Sequence, residues 1–140
     1  MREDQFADYI RRFNAEDATA FDDYLAADMV MTNGSLTFTG VDGMRHHYED
    51  LVWPHFVETL KVLRFVSNDD TVAVQMHTNF VARHDADTLF GPVKKGEQFD
   101  YRGLIMYELR DGKFSSITVA FNSFVNTRGD GTTVNIGIPH

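Results

Sequence analysis

Residues Phe99–Val125 read FDYRGLIMYELRDGKFSSITVAFNSFV, two apolar, β-rich runs on either side of Arg110-Asp111-Gly112-Lys113. Asp-Gly between such runs is a strong hairpin signal. A tight turn needs positive φ, which Asp tolerates and Gly accepts freely. The predicted strands are long for a globular protein. With partners they make a curved sheet large enough to form one wall of a cavity.

Outward from this hairpin the chain reads as one domain over residues 1–140. Its 140 residues are enough to bury a core. Twelve Phe, five Tyr and one Trp supply large apolar surfaces that suit a core or a ligand pocket. The net charge of −8, with no basic run, argues against nucleic acid or an anionic membrane as partner. There is no cysteine, which excludes disulfides and thiolate chemistry and fits a cytoplasmic protein. The charged N-terminus has no signal-peptide core, and no apolar run approaches the roughly 18 residues of a membrane span.

Phe6, Tyr9, Ile10 and Phe13 fall at helical spacing and predict a helix over 2–14. A second helix follows over about 17–26. Short strands at 29–32 and 36–39 flank Asn33-Gly34-Ser35, a turn. A third helix starts at Gly40-Val41-Asp42-Gly43, with Met44, His47, Tyr48 and Leu51 on one face, and ends near Trp53 because Pro54 cannot continue it. The next predicted strand, 58–66, puts Leu60 and Val62 on one face and Leu63 and Phe65 on the other. Thr71–Arg83 is a long strand with Val72, Val74, Met76, Thr78 and Phe80 on one face and Gln75, His77 and Asn79 on the other. Residues 84–95 read as a loop, and the tail beyond Asn126 as a short edge segment. Helices followed by antiparallel strands predict an α+β domain with helices packed on one sheet face.

Taken in order, YLAADMVMTNG, FTGVDGMRHHY, WPHF and GPVKKGEQFDYRGLIMYELRDGKF resemble the nuclear-transport-factor-2-like cone fold, and most closely its SnoaL-like polyketide cyclase branch. The resemblance covers about residues 5–125. It implies a strongly bent mixed β-sheet wrapped by three helices from the N-terminal half around a deep apolar pocket, and commonly a homodimer. The family holds cyclases, dehydratases, isomerases and epoxide hydrolases as well as plain binding proteins, so fold alone does not fix function.

The family's carboxylates are absent from the matching positions. Asn33 stands where ketosteroid isomerase relatives carry a base, and an amide takes no proton at neutral pH. Their second acid falls near Gly103 or Leu104. Asn122 stands where SnoaL-type and epoxide hydrolase relatives carry a functional Asp. Among the remaining groups His77 is the first catalytic candidate, since imidazole titrates near neutrality. Its row faces either the pocket or a solvent or dimer surface. Asp100 and Arg102 share a strand face and read either as a base with an oxyanion holder or as a surface ion pair. Asn122, between Ala120 and Phe124, reads as a donor to a substrate carbonyl or as an interface amide. Tyr9, Asn33, Tyr48, Trp53 and Phe124 are the candidate substrate-binding residues, the aromatic ones alternatively core.

Adjacent His46 and His47 point apart on a helix and make no metal site. No phosphate loop, nucleophile motif or dinucleotide fingerprint occurs, so neither cofactor nor metal is expected. The expected function is cofactor-independent proton-transfer chemistry (cyclisation, isomerisation or dehydration) on an apolar oxygenated molecule such as a polyketide or terpenoid intermediate. The alternative is a non-catalytic small-molecule-binding or dimerisation domain.

Overall fold

The computed structural model describes residues 1–137. The last three residues of the expected 1–140 domain lie outside that range. Helix α1 spans Glu3–Asn14 and α2 Thr19–Tyr24. Strands β1 (Leu25–Asn33) and β2 (Leu36–Thr39) follow, then α3 (Gly40–Arg45), which continues directly into a π-helix, His46–Val52. The rest is strand: β3 (Phe56–Ser67), β4 (Thr71–Ala82), β5 (Ala86–Thr88), β6 (Gly91–Val93), β7 (Gln98–Arg110), β8 (Lys113–Thr127) and β9 (Thr133–Asn135). The main sheet runs β2-β1-β8-β7-β4-β3, with β9 added to β8. It is mixed: β1 and β8 are parallel, and the other pairs are antiparallel.

The central hairpin forms as its sequence predicts. Asp111 and Gly112 take φ of 54° and 77°, the left-handed pair that a two-residue turn requires. The apolar stripe of α1 lies on the concave side of the sheet. Phe6 meets Tyr107 of β7 edge-on at 5.2 Å, and Tyr9 meets Phe114 of β8 in the same way at 5.2 Å. Burying each such ring contributes about 2 kcal/mol. The alternation of β4 is as read from the sequence, with Val72, Val74, Met76, Thr78, Phe80 and Ala82 all buried.

The third helix departs from expectation. After Arg45 its hydrogen bonds lengthen by one residue, as in Trp53 N–H to the Tyr48 carbonyl at 2.8 Å. Such wide turns recur at functional sites. Here consecutive His47 and Tyr48 are both buried.

Two bulges alter the parity read from the sequence, and one expected loop holds a hairpin. Leu63 is an extra residue in β3, between the Val62–Met76 and Arg64–Gln75 pairs. Phe65 therefore faces inward with Leu60 and Val62, packing on Phe6 at 5.6 Å, and does not share a face with Leu63. In β8, Asn122 is extra between the Gly103–Phe121 and Arg102–Ser123 pairs. Ala120, paired with Leu104, faces out, while Phe124, paired with Tyr101, faces in. Finally, the expected loop at 84–95 contains the β5–β6 hairpin. Its tip residue Phe90 packs among Phe56, Phe80, Phe99 and Phe124.

Gly103 sits beside the β8 bulge. A Cβ there would lie 2.3 Å from the Ala120 carbonyl oxygen and 2.7 Å from the Phe121 Cα. Both are backbone atoms that cannot swing aside. Gly103→Ala is expected to destabilise the fold by about 3 kcal/mol, read by denaturant unfolding. An unchanged midpoint would show that the bulge relaxes freely.

Candidate functional site

The helices close the concave face of the sheet over a cavity of about 340 Å³. Much of its wall is apolar: Phe13, Met31, Met44, Met76, Phe80 and Ile105 are among its lining side chains. Leu36 and Leu89, both substantially exposed, also line it, from the start of β2 and from the β5–β6 turn. The polar groups in it are few: Tyr9 from α1, Asn33 from β1, His47 and Tyr48 from the π-helix, Glu58 from β3, Thr78 from β4, and Tyr101 and Tyr107 from β7. A small number of polar groups in an apolar wall is the usual constitution of a small-molecule site.

Glu58 is the unusual member. It lies on the inward parity of β3 between Phe56 and Leu60, opposite Phe80 of β4. The residue is 6% exposed, and its Oε2 has no hydrogen-bond partner among the described residues. Burial raises the carboxyl to about 8, so it is mainly protonated at neutral pH. Its strand is held by α1: the Asn14 side chain donates to the Leu60 carbonyl at 2.9 Å and accepts from the Leu60 N–H at 2.8 Å.

His47 is displaced in the opposite direction. Burial first, and then the neighbouring His46, pull its imidazole down to about 4, so it is neutral at pH 7. Its ring stacks on Phe38 at 4.7 Å and meets Tyr48 edge-on at 4.7 Å. Burial, with smaller contributions from neighbours that include Glu58, raises the Tyr9 and Tyr48 hydroxyls well above the ordinary phenol value. Elsewhere in the wall Tyr101 donates to Asn33 Oδ1 at 2.8 Å, which leaves the Asn33 amide N–H group available. At neutral pH the cavity therefore holds an un-ionised acid, an un-ionised base and a set of hydroxyl and amide donors.

Of the residues singled out from the sequence, Tyr9, Asn33 and Tyr48 line this cavity. The other six do not. His77, Asp100 and Arg102 lie on the outer face of the sheet, because the apolar parity of β4 and the Phe99–Tyr101–Gly103 parity of β7 take the inside. His77 and Asp100 do meet there: His77 Nε2 donates to Asp100 Oδ1 at 2.7 Å, and Asn79 Nδ2 donates to the same oxygen at 3.0 Å. Burial pushes the Asp100 carboxyl up, but these two hydrogen bonds outweigh it and hold it below the usual range. Asn122 is exposed at the bulge. Trp53 stacks on Phe21 at 5.9 Å, behind the cavity wall. Phe124 packs against Phe90 and Tyr101 at 5.1 and 5.2 Å, also outside the cavity. The expected convergence of His77, Asp100, Arg102 and Asn122 on one pocket is thus absent.

Glu58 and His47 were not singled out. Glu58 carried a readable signal, a charged residue on the parity of Phe56, Leu60 and Val62. His47 was placed on an apolar helix face but set aside with His46 as a poor metal pair.

A model of the SnoaL-like domain family matches residues 6–117. Among curated proteins no relative matches the chain. Of the similar solved structures, a candidate polyketide cyclase from Xanthomonas campestris is 21% identical, with a TM-score of 0.72 over 84% of this chain and 87% of that one. An epoxide hydrolase of M. tuberculosis is 13% identical, with a TM-score of 0.64 over 84% and 80% of the two chains. A computationally designed 17-OHP binder is 12% identical, with a TM-score of 0.67 over 93% and 95%. At these identities the structures speak for the fold.

The state of Glu58 has a measurable signature. Below its ordinary value of 4.5 the folded and unfolded chains both hold the proton; up to about 8 only the folded one does. Stability contributed by this group is thus present below 4.5 and is lost as pH rises through 8, by about 1.4 kcal/mol per pH unit. Glu58→Gln removes the titration. The variant is expected to gain on the order of 4 kcal/mol relative to wild type between pH 4 and pH 8, measured by urea unfolding at each pH. A stability difference that does not change with pH would show that folded Glu58 titrates normally.

Proposed function

The chain belongs to the SnoaL-like domain family, and from that membership we propose that it is a proton-transfer enzyme acting on an apolar, oxygenated small molecule inside the cavity. The family includes polyketide cyclases and epoxide hydrolase-like enzymes. The reading is carried by one observation, a buried Glu58 carboxyl, its Oε2 without a hydrogen-bond partner among the described residues, in the same cavity as a neutral His47. Two titratable groups whose surroundings push them apart make an acid and a base available at one pH.

In this reading the neutral Glu58 donates its proton to a substrate carbonyl oxygen while His47 removes a proton from the adjacent carbon. An enol, a carboxylate and an imidazolium result. Where a carbon–carbon double bond adjoins that carbon the enol is a dienol, and return of one proton to its far end and of the hydroxyl proton to Glu58 completes an isomerisation and restores both groups. The same enol, attacking a second carbonyl, closes a ring. Tyr9 and Tyr48 present hydroxyls to the substrate, and Asn33, oriented by Tyr101, presents its amide N–H. The apolar wall holds the substrate and excludes water. A plain small-molecule-binding role is the second reading, favoured by the predominantly apolar wall and by the fold's use in a designed 17-OHP binder.

Deuterium exchange separates the two. A panel of cyclic ketones incubated with the protein in D₂O is expected to exchange protons beside the carbonyl, followed by NMR. The rate should rise through about pH 4 as His47 loses its proton and fall through about pH 8 as Glu58 loses its own. Glu58→Gln should slow exchange by about 10²–10⁴-fold and abolish the alkaline limb. Ketones that bind without exchanging would refute the enzyme reading and leave the binding one.

A homodimer is also part of the reading. Leu104 and Met106 are 62% and 50% exposed on the outer face of β7, adjacent to the His77–Asp100 pair. An apolar strip of this kind on a sheet face fits contact with a second copy. Light scattering is expected to give the dimer mass at micromolar concentration, and Leu104→Asp the monomer mass. A wild-type monomer would exclude it.

A further inference from the structure

The cavity sets one acid among aromatic rings. It contains a buried carboxyl whose Oε2 meets no donor, and none of its described lining residues is Lys or Arg. Around it stand aromatic rings: Tyr9, Phe13, Tyr48, Phe80, Tyr101 and Tyr107. Their faces carry negative potential, and the phenol oxygens add lone pairs. A desolvated cation is favourably held against such faces. The chain's net charge of −8 also concentrates cations in its neighbourhood.

We propose that the cavity binds an apolar ammonium ion, whose N–H groups donate to the Glu58 carboxylate while the surrounding aromatic rings enclose its hydrocarbon body. The proposal shares with the proton-transfer reading the placement of Glu58 in the cavity, but it requires no turnover. The ligand arrives already protonated. Glu58 releases its own proton to solvent, and an ion pair replaces the neutral acid, one proton leaving for each ligand bound. This satisfies the carboxyl oxygen that is otherwise without a donor and supplies the counter-charge the wall lacks. A neutral ligand of the same shape gains only the apolar contacts and a single hydrogen bond from the protonated acid.

Among the described lining residues Glu58 is the group that ligand binding is proposed to ionise between pH 5.5 and 7.5, since it titrates at about 8. The phenols facing it, Tyr9 from α1, Tyr48 from the π-helix and Tyr101 and Tyr107 from β7, are all raised by burial and stay protonated. His47, pulled down to about 4, stays neutral. His46, beyond it, is exposed and paired with Asp50 at 2.8 Å.

The probes are 1-adamantylamine and its isostere 1-adamantanol, titrated calorimetrically into the intact chain at pH 5.5, 6.5 and 7.5. The dissociation constant of the amine should fall by about tenfold per pH unit, with close to one proton released per site in buffers of differing ionisation enthalpy. That of the alcohol should stay constant within about threefold across the range. Glu58→Gln should lose the pH dependence for the amine and keep its affinity for the alcohol. Equal binding of the two probes at pH 7.5, amine binding without proton release, undiminished amine binding by Glu58→Gln, or no binding of either probe would each overturn the proposal. Ketone exchange in D₂O is scored separately. Exchange without amine binding defeats this proposal alone, and amine binding without exchange defeats the enzyme reading alone.

Discussion

The close approach of two backbones, Gly103 of β7 against Ala120 and Phe121 of β8, is the constraint on which the molecule rests. A bulge inserts a residue into one strand and bends it, and contact this tight requires that the facing residue have no side chain. The β3 bulge at Leu63 adds a second such irregularity near the other edge. A curved sheet has a concave side too deep for its own side chains to fill. The helices cover that side without filling it, and the space left is the cavity. Curvature, cavity and the chemistry in the cavity therefore descend from irregularities in the strand ladder, rather than from its regular parts.

The regular parts were the legible ones. The Asp111-Gly112 turn, the α1 stripe and the alternation of β4 are local patterns, and each repeats the physics of an isolated element. What alternation cannot reveal is an inserted residue. Asn122 was grouped with Ala120 and Phe124 by counting in twos, yet the bulge sends those two neighbours to opposite faces. The β5–β6 hairpin went unread because its three-residue strands, with Gly91-Pro92 beside the turn, carry turn chemistry and almost no period. His77, Asp100 and Arg102 were correctly grouped on one face. Which face is inside follows from the apolar parity of the same strands, Met76 and Thr78 against His77. Glu58 was legible too, as the one acid in the run Phe56, Glu58, Leu60, Val62. Its depth was not, since an edge strand owes its burial to whatever covers it.

The cavity is electrically quiet at neutral pH in a chain that is otherwise strongly acidic. Much of the chain's charge is spent in exposed pairs, such as Arg2 with Asp4 and Arg11 with Asp8, which contribute little to stability. Arg12 is the exception. It is largely covered and reaches Asp17 and Asp23 at 2.9 and 2.7 Å, joining α1 to the chain leading into and through α2. Charge thus organises the outside of the helical layer, while the inside is governed by desolvation. Inside, Glu58 and His47 are both held in the form that carries no charge.

Asn14 gives β3 a property that bears on the life of the protein in a crowded solution. An outermost strand offers a row of free N–H and C=O groups to any extended chain that passes. At Leu60 both groups are already taken by one side-chain amide, which mimics a neighbouring strand for the length of a single residue. A foreign strand seeking to add itself along β3 meets an occupied rung midway, and cannot zip past without first dislodging α1. The helix that roofs the cavity thus also closes one rung of the exposed sheet edge to strand addition.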